Sequence, residues 1–184
     1  ALDNIDDLSD TVVITEDDFA YTSGYSKAGF EVGDTVTYED LLYGILLPSG
    51  ADAVNSVVNN TLGFDDFVKE MNNLAKSIGM NNTSFSNPVG RDSDTNYSTA
   101  RDVATMLKYA LKIAEFKKIF TTKEYTTTNG LILQSTLMPY ENILNVDLID
   151  GSKSGFTRTA GRCLASITTL NDVPYLLVVI RSSN

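Results

Sequence analysis

Asp150-Gly151-Ser152-Lys153-Ser154-Gly155-Phe156-Thr157-Arg158-Thr159-Ala160-Gly161 sets a lysine among serines and glycines just ahead of an apolar run at residues 163–170. Glycine carries no Cβ, so a ligand's backbone can come close to such a stretch. A lysine and hydroxyls at that place would hold a carboxylate. The apolar run reads as a strand. Asn171-Asp172 then separates residues 162–170 from a second β-rich run at 173–181, which predicts an antiparallel hairpin. The Lys153 strand is predicted to lie at the edge of that sheet.

Upstream of this end the pattern is first β and then helical. Residues 125–128 and 131–137 flank Asn129-Gly130, a second hairpin signal. Phe64, Phe67, Val68, Met71, Leu74, Ala75 and Ile78 follow helical spacing, Gly79 ends them, and their stripe is read as core packing. Val103, Ala104, Leu107, Ala110 and Leu111 mark another helix, with Ser98 as its cap. Thr37 and Asp40 resemble a capping box ahead of Leu41, Leu42, Ile45 and Leu46; Pro48 stops that helix and residues 51–60 resume one. Residues 11–15 form a short β-branched run, read as an edge strand, and residues 21–33 read as a loop. Helices in the middle and strands at the end give an α+β fold, helices packed on an antiparallel sheet, as one domain over residues 1–184.

Composition removes several chemistries. The chain has no histidine and Cys163 is its only thiol. A Ser-His-Asp or Cys-His site is therefore impossible within it, and a zinc peptidase site is disfavoured. Nucleophilic catalysis here needs Ser or Thr with Lys as proton acceptor. A net charge of −10 argues against nucleic acid and anionic membrane surfaces. Part of that charge, from Asp3 to Asp18, is read as a solvated face. No stretch approaches the ~20 apolar residues of a membrane span.

Ser49-Gly50-Ala51-Asp52-Ala53 follows one predicted helix and opens the next, so Ser49 alone reads as an N-cap. Its partners in sequence change that weighting. Lys153 lies about a hundred residues on. Asn87-Pro88-Val89-Gly90 and Tyr97-Ser98-Thr99-Ala100-Arg101-Asp102 lie between. In order and spacing these elements resemble the serine-type D-alanyl-D-alanine carboxypeptidases, the low-molecular-mass penicillin-binding proteins, from about residue 11 to residue 181. Lys153-Ser154-Gly155 resembles their Lys-Thr-Gly strand. The stretch from Ser84 to Leu107 favours carboxypeptidases over β-lactamases.

The resemblance implies a β-lactamase/DD-peptidase-like fold and a serine acyl-enzyme mechanism that trims the terminal D-Ala from peptidoglycan stem peptides. It implies Ser49 as a proton relay and Lys153 as the positive centre for the substrate carboxylate. Ser154 and Thr157 would bond that carboxylate, and the backbone at Gly155 and Phe156 would pair with the peptide. No metal and no cofactor is implied. Partners would be the D-Ala-D-Ala stem peptide and, for the full-length protein, β-lactam antibiotics, at an extracytoplasmic location.

Two departures stand out. Ala51 replaces the Asn that closes the family's second motif, and no serine in the chain is followed three residues later by lysine. The nucleophile's Ser-x-x-Lys is thus expected to lie upstream, the chain to be an N-terminally truncated fragment, and these residues to be inactive alone. The missing segment or a second copy would then cover the exposed sheet. A non-catalytic cell-surface module that binds peptidoglycan peptides, or a β-lactamase-like hydrolase, are the alternatives.

Overall fold

A computed structural model of the chain describes residues 1–140 and 148–182. In chain order its elements are β1 (Thr11–Val13), β2 (Thr35–Thr37), α1 (Tyr38–Leu46), α2 (Ala51–Asn59), α3 (Phe64–Ser77), α4 (Ala100–Ala110), α5 (Ala114–Phe120), β3 (Glu124–Thr126), β4 (Ile132–Gln134), β5 (Gly151–Thr157), β6 (Gly161–Leu170) and β7 (Val173–Ser182). This is the expected α+β arrangement. Among the described residues no helix is long and apolar enough to cross a membrane.

The largest sheet runs β5-β6-β7, antiparallel throughout. Asn171 and Asp172 both take positive φ, 50° and 63°. Paired positive φ values match the right-handed twist of flanking strands, which is why this dipeptide makes a tight hairpin. Leu170 consequently sits opposite Val173, and Lys153 sits opposite Ala165 in the neighbouring ladder. Two smaller hairpin-like pairs, β1 with β2 and β3 with β4, complete the strands. Residues 11–15 thus do contain a strand, but its partner β2 and the short helix α5 carried no clear sequence signal.

Two apolar clusters hold the layers. Val12, Ile14, Phe30, Val36, Leu41, Tyr43, Val57, Ile119 and Leu133 form the larger one, around α1. Tyr43 stacks on Tyr125 with ring centroids 3.7 Å apart, tying α1 to the β3–β4 hairpin. Leu107, Phe120 and Ile167 form the second cluster, which fixes α4 and α5 against β6. The site-bearing sheet is placed by this second cluster.

Buried carboxylates lock the loops to the helices. Asp40, fully buried, accepts from the amides of Thr37 and Thr128, the Thr128 hydroxyl and the Tyr125 phenol, at 2.6–3.1 Å. Thr37 returns the contact by accepting from the Asp40 amide, so the expected capping box is present. Burial by itself raises the Asp40 pKa, but the Thr128 and Thr37 hydrogen bonds outweigh it and hold the carboxyl below its ordinary 3.8.

Three sequence readings are corrected. The α3 stripe is core only in part: Ala75 is buried and Phe67 packs against the larger cluster, while Phe64 and Leu74 are 44% and 38% exposed. Helical periodicity identifies an apolar face but not what covers it. Asp18, counted in the solvated acidic run, is fully buried and accepts from the Asn59 amide group at 2.8 Å and the Thr15 amide at 2.9 Å. The cap of α4 is Thr99, whose hydroxyl accepts from the Asp102 amide; the Ser98 hydroxyl bonds Thr83 instead.

Candidate active site

Ser49 lies in the tight link between α1 and α2. The Leu47 amide still donates to Tyr43, and the Gly50 amide reaches back to the Gly44 carbonyl at 2.9 Å. Closing the chain this sharply puts Ser49 at φ 65°, a left-handed conformation that a non-glycine residue adopts only where its surroundings enforce it. The enforcement is visible. The Ala51 amide donates to the Ser26 carbonyl at 2.9 Å. Asp52, fully buried, accepts from the amides of Ala28 and Gly29 at 2.8 and 3.2 Å. A Cβ on Gly50 would stand 2.7 Å from the Ala28 nitrogen, so only glycine fits between them. Gly50, not Ser49, occupies the N-cap position of α2. The serine hydroxyl is therefore released from capping and faces the sheet.

Lys153 meets it there. Its Nζ donates to Ser49 Oγ at 2.7 Å and to the Ser154 carbonyl at 2.8 Å. Burial strips water from the ammonium and lowers the Lys153 pKa from 10.5 to about 8. Among the described residues β5 pairs only with β6, so Lys153 lies on an edge strand beside the Ser49 turn.

The other residues singled out in the sequence are spread along the same strand. Ser154 Oγ lies 2.7 Å from Thr136 Oγ1, and the Thr136 amide donates to the Leu47 carbonyl at 3.2 Å. Thr136 therefore links β5 to the end of α1. Nothing in its sequence context marked it. Gly155 is exposed, and a Cβ there would meet only the Cys163 Cβ, at 3.9 Å. Glycine at this position is thus not required by the fold. Phe156 is 65% exposed, with the Arg162 guanidinium 5.5 Å from its ring centre. The Thr157 hydroxyl donates to Asp92 Oδ1 at 2.6 Å and accepts from the Ala160 amide at 2.9 Å.

Asp92 comes from the polar loop between α3 and α4, and the motifs quoted from that loop explain its shape. The Asn87 side chain spans its own turn: Oδ1 accepts from the Arg91 amide at 2.8 Å and Nδ2 donates to the Arg91 carbonyl at 3.1 Å. Asp102, buried, accepts from the Asn82 amide at 2.7 Å and the Thr83 hydroxyl at 2.8 Å. Asn87 and Asp102 thus shape the loop that carries Asp92 to β5. Their signal was legible, but its link to Thr157 was not.

A half-buried lysine bonded to a half-buried serine, beside an edge strand in a chain without histidine, presents the residue types that Ser-Lys chemistry needs. Comparison with known proteins gives the family. Residues 2–184 match the peptidase family S11, D-alanyl-D-alanine carboxypeptidase, and the chain belongs to that family. It is 32% identical over 178 residues to D-alanyl-D-alanine carboxypeptidase DacF of Bacillus subtilis (strain 168), covering 96% of this chain and 45% of that protein. It is 34% identical over 170 residues to a D-alanyl-D-alanine endopeptidase of Escherichia coli (strain K12), covering 85% of this chain and 51% of the other. Among solved structures, a D-alanyl-D-alanine carboxypeptidase of Mycobacterium tuberculosis H37Rv superposes with TM-score 0.84 at 25% identity, over 97% of this chain and 67% of that one. The Streptomyces K15 DD-transpeptidase superposes with TM-score 0.82 at 28% identity, over 97% and 74%. The chain spans about half or less of the length of these curated relatives.

Proposed function

We propose that these residues carry the carboxylate-binding half of a serine-type D-Ala-D-Ala carboxypeptidase, which removes the terminal D-Ala from peptidoglycan stem peptides outside the cytoplasm. The 2.7 Å contact between Lys153 Nζ and Ser49 Oγ carries this reading. It joins two segments 104 residues apart. It also places a cation at the sheet edge of a domain whose net charge is −10. An anionic peptide end approaching such a surface needs a fixed positive centre to invert the local potential.

The roles follow from position. Lys153 attracts the substrate's terminal carboxylate and, through its two hydrogen bonds, holds the Ser49 hydroxyl in place. Ser49 passes a proton toward the leaving D-Ala. The hydroxyls of Ser154 and Thr157 exchange their present partners, Thr136 and Asp92, for the substrate. The peptide adds to the open edge of β5 at Gly155 and Phe156 as a further strand. Ala51 offers no amide, so substrate orientation rests on the remaining groups. The attacking serine belongs to a Ser-x-x-Lys supplied from outside these residues, and β-lactams would acylate it in the parent protein. Those outside residues, or a second copy, cover β7, where Tyr175 and Leu177 are 54% and 55% exposed.

The test is D-Ala release from a peptide ending in Lys-D-Ala-D-Ala by the parent protein. Lys153→Ala is expected to lower kcat/KM roughly thirty- to a thousand-fold, as for loss of one charge-assisted contact in the transition state. Unchanged kcat/KM would refute the assignment.

A further inference from the structure

In the proposed function Ser49 only passes a proton, yet its surroundings suit a second role. Three observations meet at one atom. The Ser49 hydroxyl lies 2.7 Å from an amine whose other hydrogen-bond partner among the described residues is the Ser154 carbonyl, not a side-chain acid. The backbone under Ser49 is held at φ 65° by the clamp of Gly50 and Asp52, so the side chain is projected from a rigid, strained turn rather than a mobile loop. Both side chains are only partly buried, and among the described residues no strand covers the outer edge of β5, so a small ester can reach them from there.

We propose that Ser49 and Lys153 form a nucleophile–base pair within these residues, able to accept an acyl group from an activated ester. In the step, Ser49 Oγ bonds to the acyl carbon while the bond from that carbon to the leaving alkoxide or phenoxide breaks. The Ser49 proton passes to Lys153 Nζ, and the leaving group departs with the bonding pair. Lys153 then returns its proton to solvent. Accepting a proton requires a neutral amine. Burial supplies one, since with a pKa of about 8 roughly a tenth of Lys153 is unprotonated at neutral pH. Among the described residues no strand pairs with the outer edge of β5, so backbone amides there can face the oxyanion as it develops.

The probe is p-nitrophenyl acetate, with p-nitrophenolate followed by absorbance and the adduct mapped by peptide mass spectrometry on the whole chain. One acetyl group on Ser49 is expected. Ser49→Ala should lose it. Lys153→Met and Lys153→Arg should both slow its formation by about a hundred-fold or more, the ordinary scale of general-base catalysis. The arginine variant separates the two roles of the lysine, because guanidinium keeps the charge but takes no proton. Urea melts of each variant show whether it is folded, and the map on the unaltered chain does not depend on any variant. An unlabelled Ser49, acetyl on Lys153 Nζ instead, or an undiminished rate in Lys153→Arg would each overturn the pair. None of these results bears on D-Ala release by the parent protein, whose failure would be read separately.

Discussion

Replacing Lys153 by methionine tests the physical origin of the site, because the structure fixes both the size and the pH dependence of the effect. The folded protein releases the Lys153 proton near pH 8, whereas the unfolded chain holds it to the ordinary 10.5. That difference corresponds to about 3 kcal/mol of unfavourable free energy for keeping the ammonium in its dry position. Between those two pKa values the unfolded state binds more protons, so stability rises with pH. Relative to neutral Lys153, nearly the whole cost is present at pH 7, and about 2 kcal/mol of it is relieved by roughly pH 9.5. Methionine has similar length and no charge, so it escapes the cost at every pH. It does lose the hydrogen bonds to Ser49 Oγ and the Ser154 carbonyl, together about 1–2 kcal/mol. Lys153→Met is therefore expected to be more stable than the unaltered chain by about 1–2 kcal/mol at pH 7, and no more stable near pH 9.5. Urea unfolding of both proteins at the two pH values measures this. The change in their stability difference, about 2 kcal/mol, is independent of what the hydrogen bonds are worth. A difference that does not move with pH would mean that Lys153 is solvated and that its burial does not shape the site.

Gly155→Ala should leave the urea midpoint nearly unchanged, since its Cβ has room beside Cys163, yet raise KM in the parent by filling the edge where the peptide would lie. Equal losses of stability and affinity would show a structural glycine instead. Gly50→Ala should destabilise by about 2–3 kcal/mol through overlap with the Ala28 nitrogen, read as a fall in the urea midpoint. Asp40→Ala strands the Thr37 and Thr128 amides and the Tyr125 phenol, which should cost about 2–4 kcal/mol on the same assay. Burial, then the Asp40 charge, raises the Tyr125 pKa well above 10, so the unfolded chain loses that proton first and stability should fall above pH 10. In Tyr125→Phe that contribution to the fall should vanish.

The sequence by itself determined the local elements whose cause is local. Asn171-Asp172 tolerates two successive positive φ values, so the β6–β7 hairpin could be read directly. Thr37 and Asp40 satisfy each other's backbone within one turn, so the start of α1 was equally legible. Lys153 and Ser49 were found through family-specific order and spacing, since nothing local links residues 104 apart. Tertiary structure decided what depends on neighbours distant in the chain. Whether the α3 stripe is covered depends on the other elements, and periodicity carries no record of them. Thr136 and Asp92 became part of the site only when loops of no evident pattern were laid against β5. Asp18 looked like one charge in an exposed run until Asn59 and the Thr15 amide supplied the partners that let it be buried. The low pKa of Lys153 belongs to the same class, for desolvation is a property of the packed environment and leaves no mark on the residue's identity.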